Sequence, residues 1–245
     1  MTPLFFLLLF VLSTSVSALS STEKLFVDVP SSINTFDSLK FITSIPHVAG
    51  TEGDFIMADF VLNEIASHGL KVERYDLEVL LNYPTSQPSV SLISAADDEI
   101  IFSASMSEDT ELSDRTSDTM WRNHTFHGYS PSGSVKSQYV YANYGRPKDL
   151  DALQKAGVSV DGKIVITRYG ECFRGLKVMN AQALGAVGVI VYSDPQDDGF
   201  SKGAVYPDGP WRSSTSVQRG SVQFNSLCAG VSTINPTQHL KPFKI

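Results

Sequence analysis

A hydrolytic metal site needs histidines and carboxylates brought together around the ion. The five histidines of this chain are His47, His68, His124, His127 and His239. None stands in a His-x-x-x-His or His-x-Asp pattern. His124 and His127 are three apart, but in a stretch without helical periodicity, where both read as solvated loop residues. Serine catalysis on an α/β fold would show a Gly-x-Ser-x-Gly elbow, and the sequence has none. The glycines of the Tyr169-Gly170-Glu171-Cys172-Phe173-Arg174-Gly175 segment are wrongly spaced for a phosphate cradle. Asp197-Asp198 and the acidic stretch 108–118 lack the alternating ligands of a calcium loop and read as solvated charge. No catalytic residue and no metal ligand is assigned.

Arg174 differs because of where it falls, between the end of a strand and the start of a helix. Open α/β sheets bind ligands at that place. An arginine fork holds carboxylates in bidentate fashion, and a helix N-terminus adds backbone N–H donors. An anion-binding role is one reading of this position; a surface or salt-bridged arginine is the commoner one.

The elements around Arg174 carry the clearest patterns. Residues 163–168 form a β-branched strand. Residues 175–185 form a helix with Val178, Ala181 and Leu184 on one side. Residues 187–192 are nearly all apolar, as for a strand buried on both faces. Strand, helix and strand in this order make a βαβ unit with parallel strands. Upstream, 138–144 is strand-like, Pro147 starts a helix with Leu150 and Leu153 on its apolar face, and Gly157 ends it. Asp161-Gly162 is a turn. Residues 51–69 predict an amphipathic helix with a Thr51/Asp54 capping pattern and Met57, Val61 and Ile65 on one face. Residues 70–81 alternate as in a half-buried strand. Composition shifts at Asn82-Tyr83-Pro84. Short strands at 89–94 and 99–103 follow, joined by a turn at 95–98. Residues 106–119, 124–133 and 193–220 read as loops.

Composition limits the rest. Nineteen basic residues face 26 acidic ones, for a net charge of −7, which argues against a nucleic-acid binder. Two cysteines build no disulfide scaffold. A length of 245 residues suits one or two domains. Residues 1–18 carry no charged side chain, and nine consecutive apolar residues occupy 4–12. That run is short for a membrane span, which takes about 20 residues. It fits a secretory signal peptide at 1–18, with the small residues Val16-Ser17-Ala18 at the cleavage point. A secreted or lumenal chain is expected, an uncleaved membrane anchor being the alternative. Asn123-His124-Thr125 is then a usable glycosylation sequon. In that compartment Cys172 and Cys228 either pair or stay as two buried thiols.

Several ordered stretches carry a resemblance: Gly162-Lys163-Ile164-Val165-Ile166-Thr167-Arg168-Tyr169-Gly170, Phe173-Arg174-Gly175, Asn180-Ala181-Gln182, and Tyr192-Ser193-Asp194-Pro195. Tyr206-Pro207-Asp208-Gly209 and Val217-Gln218-Arg219-Gly220 continue it, and Pro46-His47-Val48-Ala49-Gly50-Thr51 precedes it. Together they resemble the glutamate carboxypeptidase II / N-acetylated-α-linked acidic dipeptidase family, from about residue 31 to 230. The resemblance implies a mixed α/β fold, with a protease-associated (PA) domain inserted after the N-terminal lobe of a zinc-exopeptidase domain that is incomplete here. With the signal peptide at 1–18 read from composition, it places the peptidase-like lobe at 19–84, the PA domain at 85–230 and an unmatched tail at 231–245.

Members of that family are M28-type di-zinc exopeptidases that release C-terminal residues, often glutamate, and are often homodimers. The resemblance gives Arg174 the substrate's C-terminal carboxylate as partner and makes Asn225 the nearest candidate for an assisting asparagine, although its spacing differs by one residue. The family's two zinc ions, its general base and a possible calcium ion belong to residues beyond the PA domain, so no cofactor is expected within this chain. The expected role is the substrate-gripping part of a carboxypeptidase, inactive alone, acting on peptides with an acidic C-terminal residue. A non-catalytic PA-domain binding module is the alternative. A truncated product or a stand-alone protein both fit the unmatched tail. Apolar surface on the 51–69 helix is expected to lack its cover.

Overall fold

The computed structural model describes residues 18–79 and 81–223. The signal-like segment up to residue 17, Asn225, Cys228 and the tail at 231–245 lie outside the described residues. The chain divides into two units, 1–45 and 46–245.

The first unit holds α1 (Ser21–Asp28) and α2 (Ser32–Ile42). Serines start both. Ser20 Oγ accepts from the Glu23 amide while the Glu23 carboxylate accepts from the Ser20 amide, a complete capping box. Ser31 Oγ accepts from the Asn34 amide. Neither helix has a buried residue.

The second unit begins with α3 (Glu52–Ser67). The expected Thr51 cap is rearranged. Thr51 Oγ1 donates to the Val48 carbonyl, and Asp54 reaches back to the Gly50 amide at 2.9 Å instead. Met57 is the buried residue of this helix, while Phe55, Val61 and Ile65 stay exposed. The strand expected at 70–81 is not found over 70–79, which runs without a ladder partner and with Tyr75, Leu77 and Val79 exposed. Alternation alone makes no strand, because backbone groups outside a ladder are left to water. Beyond it Asn82 Oδ1 accepts from the Tyr129 amide, and the Tyr83 hydroxyl donates to the Ala49 carbonyl. These two bonds tie the crossing at Asn82-Tyr83 to both of its neighbours.

Strands β1 (Ser91–Ile93) and β2 (Ile100–Ser103) form the expected hairpin, antiparallel across a tight turn with Asp98 at φ 62°. The stretch 124–133, expected to be loop, contains a two-residue strand, β3 (His127–Gly128). Its partner is β7 (Gly220–Ser221), in parallel.

The remaining elements form the expected α/β unit. Strands β4 (Tyr139–Tyr141), β5 (Ile164–Arg168) and β6 (Gly188–Tyr192) make a parallel sheet in the order β4-β5-β6. Helices α4 (Pro147–Lys155) and α5 (Arg174–Ala183) are the crossovers. The register aligns Val140, Val165 and Val189 in one row. That row packs with Leu150 and Leu153 of α4 and with Ala181 and Leu184 beside it. Alternation in β5 is clean, Val165 and Thr167 being fully buried and their neighbours half-buried. Strand β6 departs from expectation: all five residues are only half-buried. It is an edge strand, so burial on both faces, as in a central parallel strand, is not available to it. The long segment after β6 is irregular as expected, with a bridge between Val205 and Trp211 and a cis peptide before Pro207.

Candidate functional site

The carboxyl ends of β4 and β5 and the start of α5 are fastened by one side chain. Lys177 has no solvent exposure, and its ammonium donates to the Tyr144 and Gly170 carbonyls, each at 2.7 Å. Burial lowers its pKa from the usual lysine range. One turn on, Asn180 Nδ2 donates to the Gly145 carbonyl at 3.0 Å. Gly145 must be glycine: at φ +65° a Cβ would also lie 2.8 Å from Thr167 Cγ2. The Lys177 and Asn180 spacing therefore pins two loops to one helical face. Cys172 sits in the second loop, half-buried, with Sγ 3.8 Å from the Tyr144 carbonyl oxygen.

Charged groups surround the Tyr144 ring. The guanidinium carbons of Arg168 and Arg146 lie 4.1 and 4.9 Å from its centroid. Both arginines are neutralised. Arg146 pairs with Asp149 at 2.8 Å and with Glu171, and Arg168 reaches Asp197 at 3.4 Å and Asp194 at 3.6 Å. The Tyr144 hydroxyl donates to Asp197 at 2.9 Å, which raises its phenol pKa. Asp198 pairs with Arg212 at 2.8 Å. Asp197 and Asp198 thus stay accessible to solvent, as expected of solvated charges, and are ion-paired as well. Glu108 is held likewise, 2.7 Å from Arg219, whose guanidinium also donates to the Trp121 and His124 carbonyls.

Arg174 is the first residue of α5. Phe173 precedes it as N-cap without a side-chain cap bond, and the first turn has no acidic residue. Among the described residues no side chain therefore caps this turn or offsets the positive end of the helix dipole. Arg146, Arg168, Arg212 and Arg219 all hold carboxylates, but Arg174 has none within ion-pair distance among the described residues. Its Nε donates to the Ser221 carbonyl at 3.3 Å, and its Cζ lies 6.0 Å from the Tyr169 ring centroid. Gly220 makes room for it, and Gly175 makes room for the chain just after β7. A Cβ on Gly220 would come within 2.1 Å of Arg174 Cζ, and one on Gly175 within 3.0 Å of the Val222 and Gln223 carbonyl oxygens.

His127 belongs to this arrangement, contrary to the expectation of a solvated loop histidine. Its Nε2 lies 2.8 Å from the Tyr169 hydroxyl, which donates to the Gln218 carbonyl at 2.6 Å. The rings meet edge to face at 84°. Burial, followed by the Arg174 charge, lowers the His127 pKa below the ordinary histidine value. Burial raises the Tyr169 phenol. His124 instead faces the Met120 carbonyl and the Trp121 ring. Asn123 closes a 3-10 turn and is half-buried. No group of three or more His, Cys, Asp or Glu side chains converges as a metal site would require, among the described residues. The residues present therefore do not fit a zinc centre.

Comparison with known proteins places this arrangement. Residues 129–223 match the PA domain family, so the Arg174 site is built on a PA domain. The chain is 40% identical over 81% of its length to the probable glutamate carboxypeptidase of Arthroderma benhamiae, covering 28% of that protein. It is 31% identical over 76% of its length to aminopeptidase NAALADL1 of Rattus norvegicus, covering 26% of it. Among solved structures, a zinc aminopeptidase from Bacillus subtilis aligns with 65% of this chain and 32% of its own, at 20% identity and a TM-score of 0.32. The chain belongs to the glutamate carboxypeptidase II / N-acetylated-α-linked acidic dipeptidase family. It spans about a quarter of the length of the curated relatives it matches.

Proposed function

We propose that this chain is the substrate-gripping part of a glutamate carboxypeptidase-like zinc metallopeptidase. Arg174 binds the C-terminal carboxylate of a peptide, with preference for an acidic last residue. The observation that carries this reading is the Arg174 guanidinium at the first residue of α5, without a carboxylate partner among the described residues. An anion placed there meets a bidentate donor and oriented amides together. Asn225 is proposed as a second donor to the same carboxylate. Zinc, two ions in the complete enzyme, is left to residues outside those described, and the part of this chain is to bind and orient.

The test is binding of N-acetyl-L-glutamate to the 245-residue chain, followed by NMR. Arg174→Ala is expected to weaken it about tenfold or more, since hydrogen bonds to charged groups contribute roughly 1.5–3 kcal/mol. Equal affinity in both proteins would remove Arg174 from the role. A second reading, a non-catalytic binding module, is favoured by the lack of converging metal ligands among the described residues. Peptidase activity of this chain with added zinc, lost on chelation, would overturn it.

We also infer secretion or residence in a lumen, with N-glycosylation at Asn123 and residues 1–18 removed. A membrane anchor is the alternative, to be told apart by sequencing the N-terminus of the protein made in cells. A mobility shift on glycosidase treatment reads out Asn123. Pairing of Cys172 with Cys228 belongs to the same reading and is checked by thiol titration.

A further inference from the structure

Tyr169 has one hydroxyl proton, and the 2.6 Å contact to the Gln218 carbonyl uses it. The 2.8 Å contact to His127 must then be a bond in which Nε2–H donates to the phenol oxygen. His127 thus fixes the ring over which the Arg174 guanidinium lies. The same two-residue ladder carries both supports of that guanidinium. His127 pairs with Gly220, and Gly128 pairs with Ser221, whose carbonyl accepts from Arg174 Nε.

His127 and Tyr169 also line an open groove that runs along β6 and that Arg174 does not line. The charged and titratable groups facing this pair are Arg174 from α5, Arg212 from the segment after β6, and the Tyr169 phenol itself.

We propose that His127 is a positioning residue for the Arg174 anion site, acting through Tyr169, and that its protonation strengthens anion binding there. This rests on the reading of Arg174 as a carboxylate site. Neutral His127 holds the ring by donation. Its protonated form keeps that donation and places a second positive charge beside the bound anion. An anion on Arg174 offsets the repulsion that opposes protonation, so each binding event favours the other. The His127 pKa in the free site is lowered by burial first and by that repulsion second.

The experiment uses N-acetyl-L-glutamate with the 245-residue chain at pH 7.5 and 5.5, where both its carboxylates stay ionised. The wild type is expected to bind more tightly at pH 5.5, and its His127 Hε1 signal to titrate at higher pH when the ligand is bound. His127→Phe removes the donor and is expected to weaken binding about fivefold at pH 7.5, the worth of one neutral hydrogen bond. His127→Gln keeps a donor and cannot ionise, so it should bind as the wild type does at pH 7.5 and gain nothing in acid. A His127→Phe protein with wild-type affinity at both pH values would overturn the proposal. The Arg174 Nε–H signal separates this from failure of the carboxylate reading. Should the wild type not bind the ligand, faster exchange of that proton in His127→Phe still supports positioning, and unchanged exchange refutes it.

Discussion

The Cα of Gly220 lies against the guanidinium of Arg174, so closely that a Cβ there would stand 2.1 Å from Cζ. The clashing atoms are the far end of a flexible side chain. Alanine at this position should therefore displace the arginine instead of breaking the fold. Gly220→Ala is expected to reduce N-acetyl-L-glutamate binding about as much as Arg174→Ala, with thermal unfolding within a few degrees of the wild type. Retained affinity in Gly220→Ala would show that the guanidinium need not occupy this place.

Lys177 calls for the opposite outcome. Replacing it with methionine keeps the buried stem and removes donors from the Tyr144 and Gly170 carbonyls. The Gly170 carbonyl keeps the Cys172 amide as donor, and the Tyr144 carbonyl is left with only the long Cys172 thiol contact. One orphaned buried group costs about 1–3 kcal/mol, so Lys177→Met should lower stability by roughly that much in urea unfolding. A smaller loss would mean that water replaces the ammonium.

Arg219 joins the segment 108–124 to the end of the chain's irregular stretch through Glu108, Trp121 and His124. In Arg219→Ala, amide exchange at 108–124 should accelerate while β5 remains protected. Uniform acceleration through both regions would show instead that Arg219 supports the whole unit.

Stability should also depend on His127. Its pKa is lowered on folding from an ordinary value near 6.5. As pH falls through that value, the unfolded chain takes up the proton first. The folded state therefore loses stability on acidification below about 6.5, and the loss ends once the folded histidine is itself protonated. Urea unfolding at pH 7.5 and 6.0 should show this loss in the wild type and a smaller one in His127→Phe. Equal pH dependence in the two proteins would place the cause elsewhere.

The sequence made the local elements legible and left the long-range ones hidden. Helices α3, α4 and α5, the β1–β2 hairpin and the β4-β5-β6 strands follow from periodicity, proline and glycine. The position of Arg174 followed from its place between strand and helix. Strand β3 left no pattern, because its two residues pair with a segment 93 positions away, at Gly220. His127 was misread for the same reason, since its burial comes from that pairing and from Tyr169. Lys177 shows a limit of another kind. A lysine in a helix suggests a wet face, yet this one shares the buried face with Ala181, four residues on. That spacing was the available signal. The strand expected at 70–81 failed because alternation describes two faces and says nothing about who pairs with the edges. Helices α1 and α2 have little beyond their serine caps to announce them.

The short parallel ladder of β3 with β7 has a consequence for how such a unit travels between proteins. It brings His127 and Gly220 side by side, with neighbouring strands about 4.8 Å apart. The chain leaves this ladder after Gly128 and comes back to it at Gly220, so the two ends of the segment between them lie close together. A host fold need open only a single surface loop to receive such a cassette, and the strands on either side of that loop need not move apart to let it in.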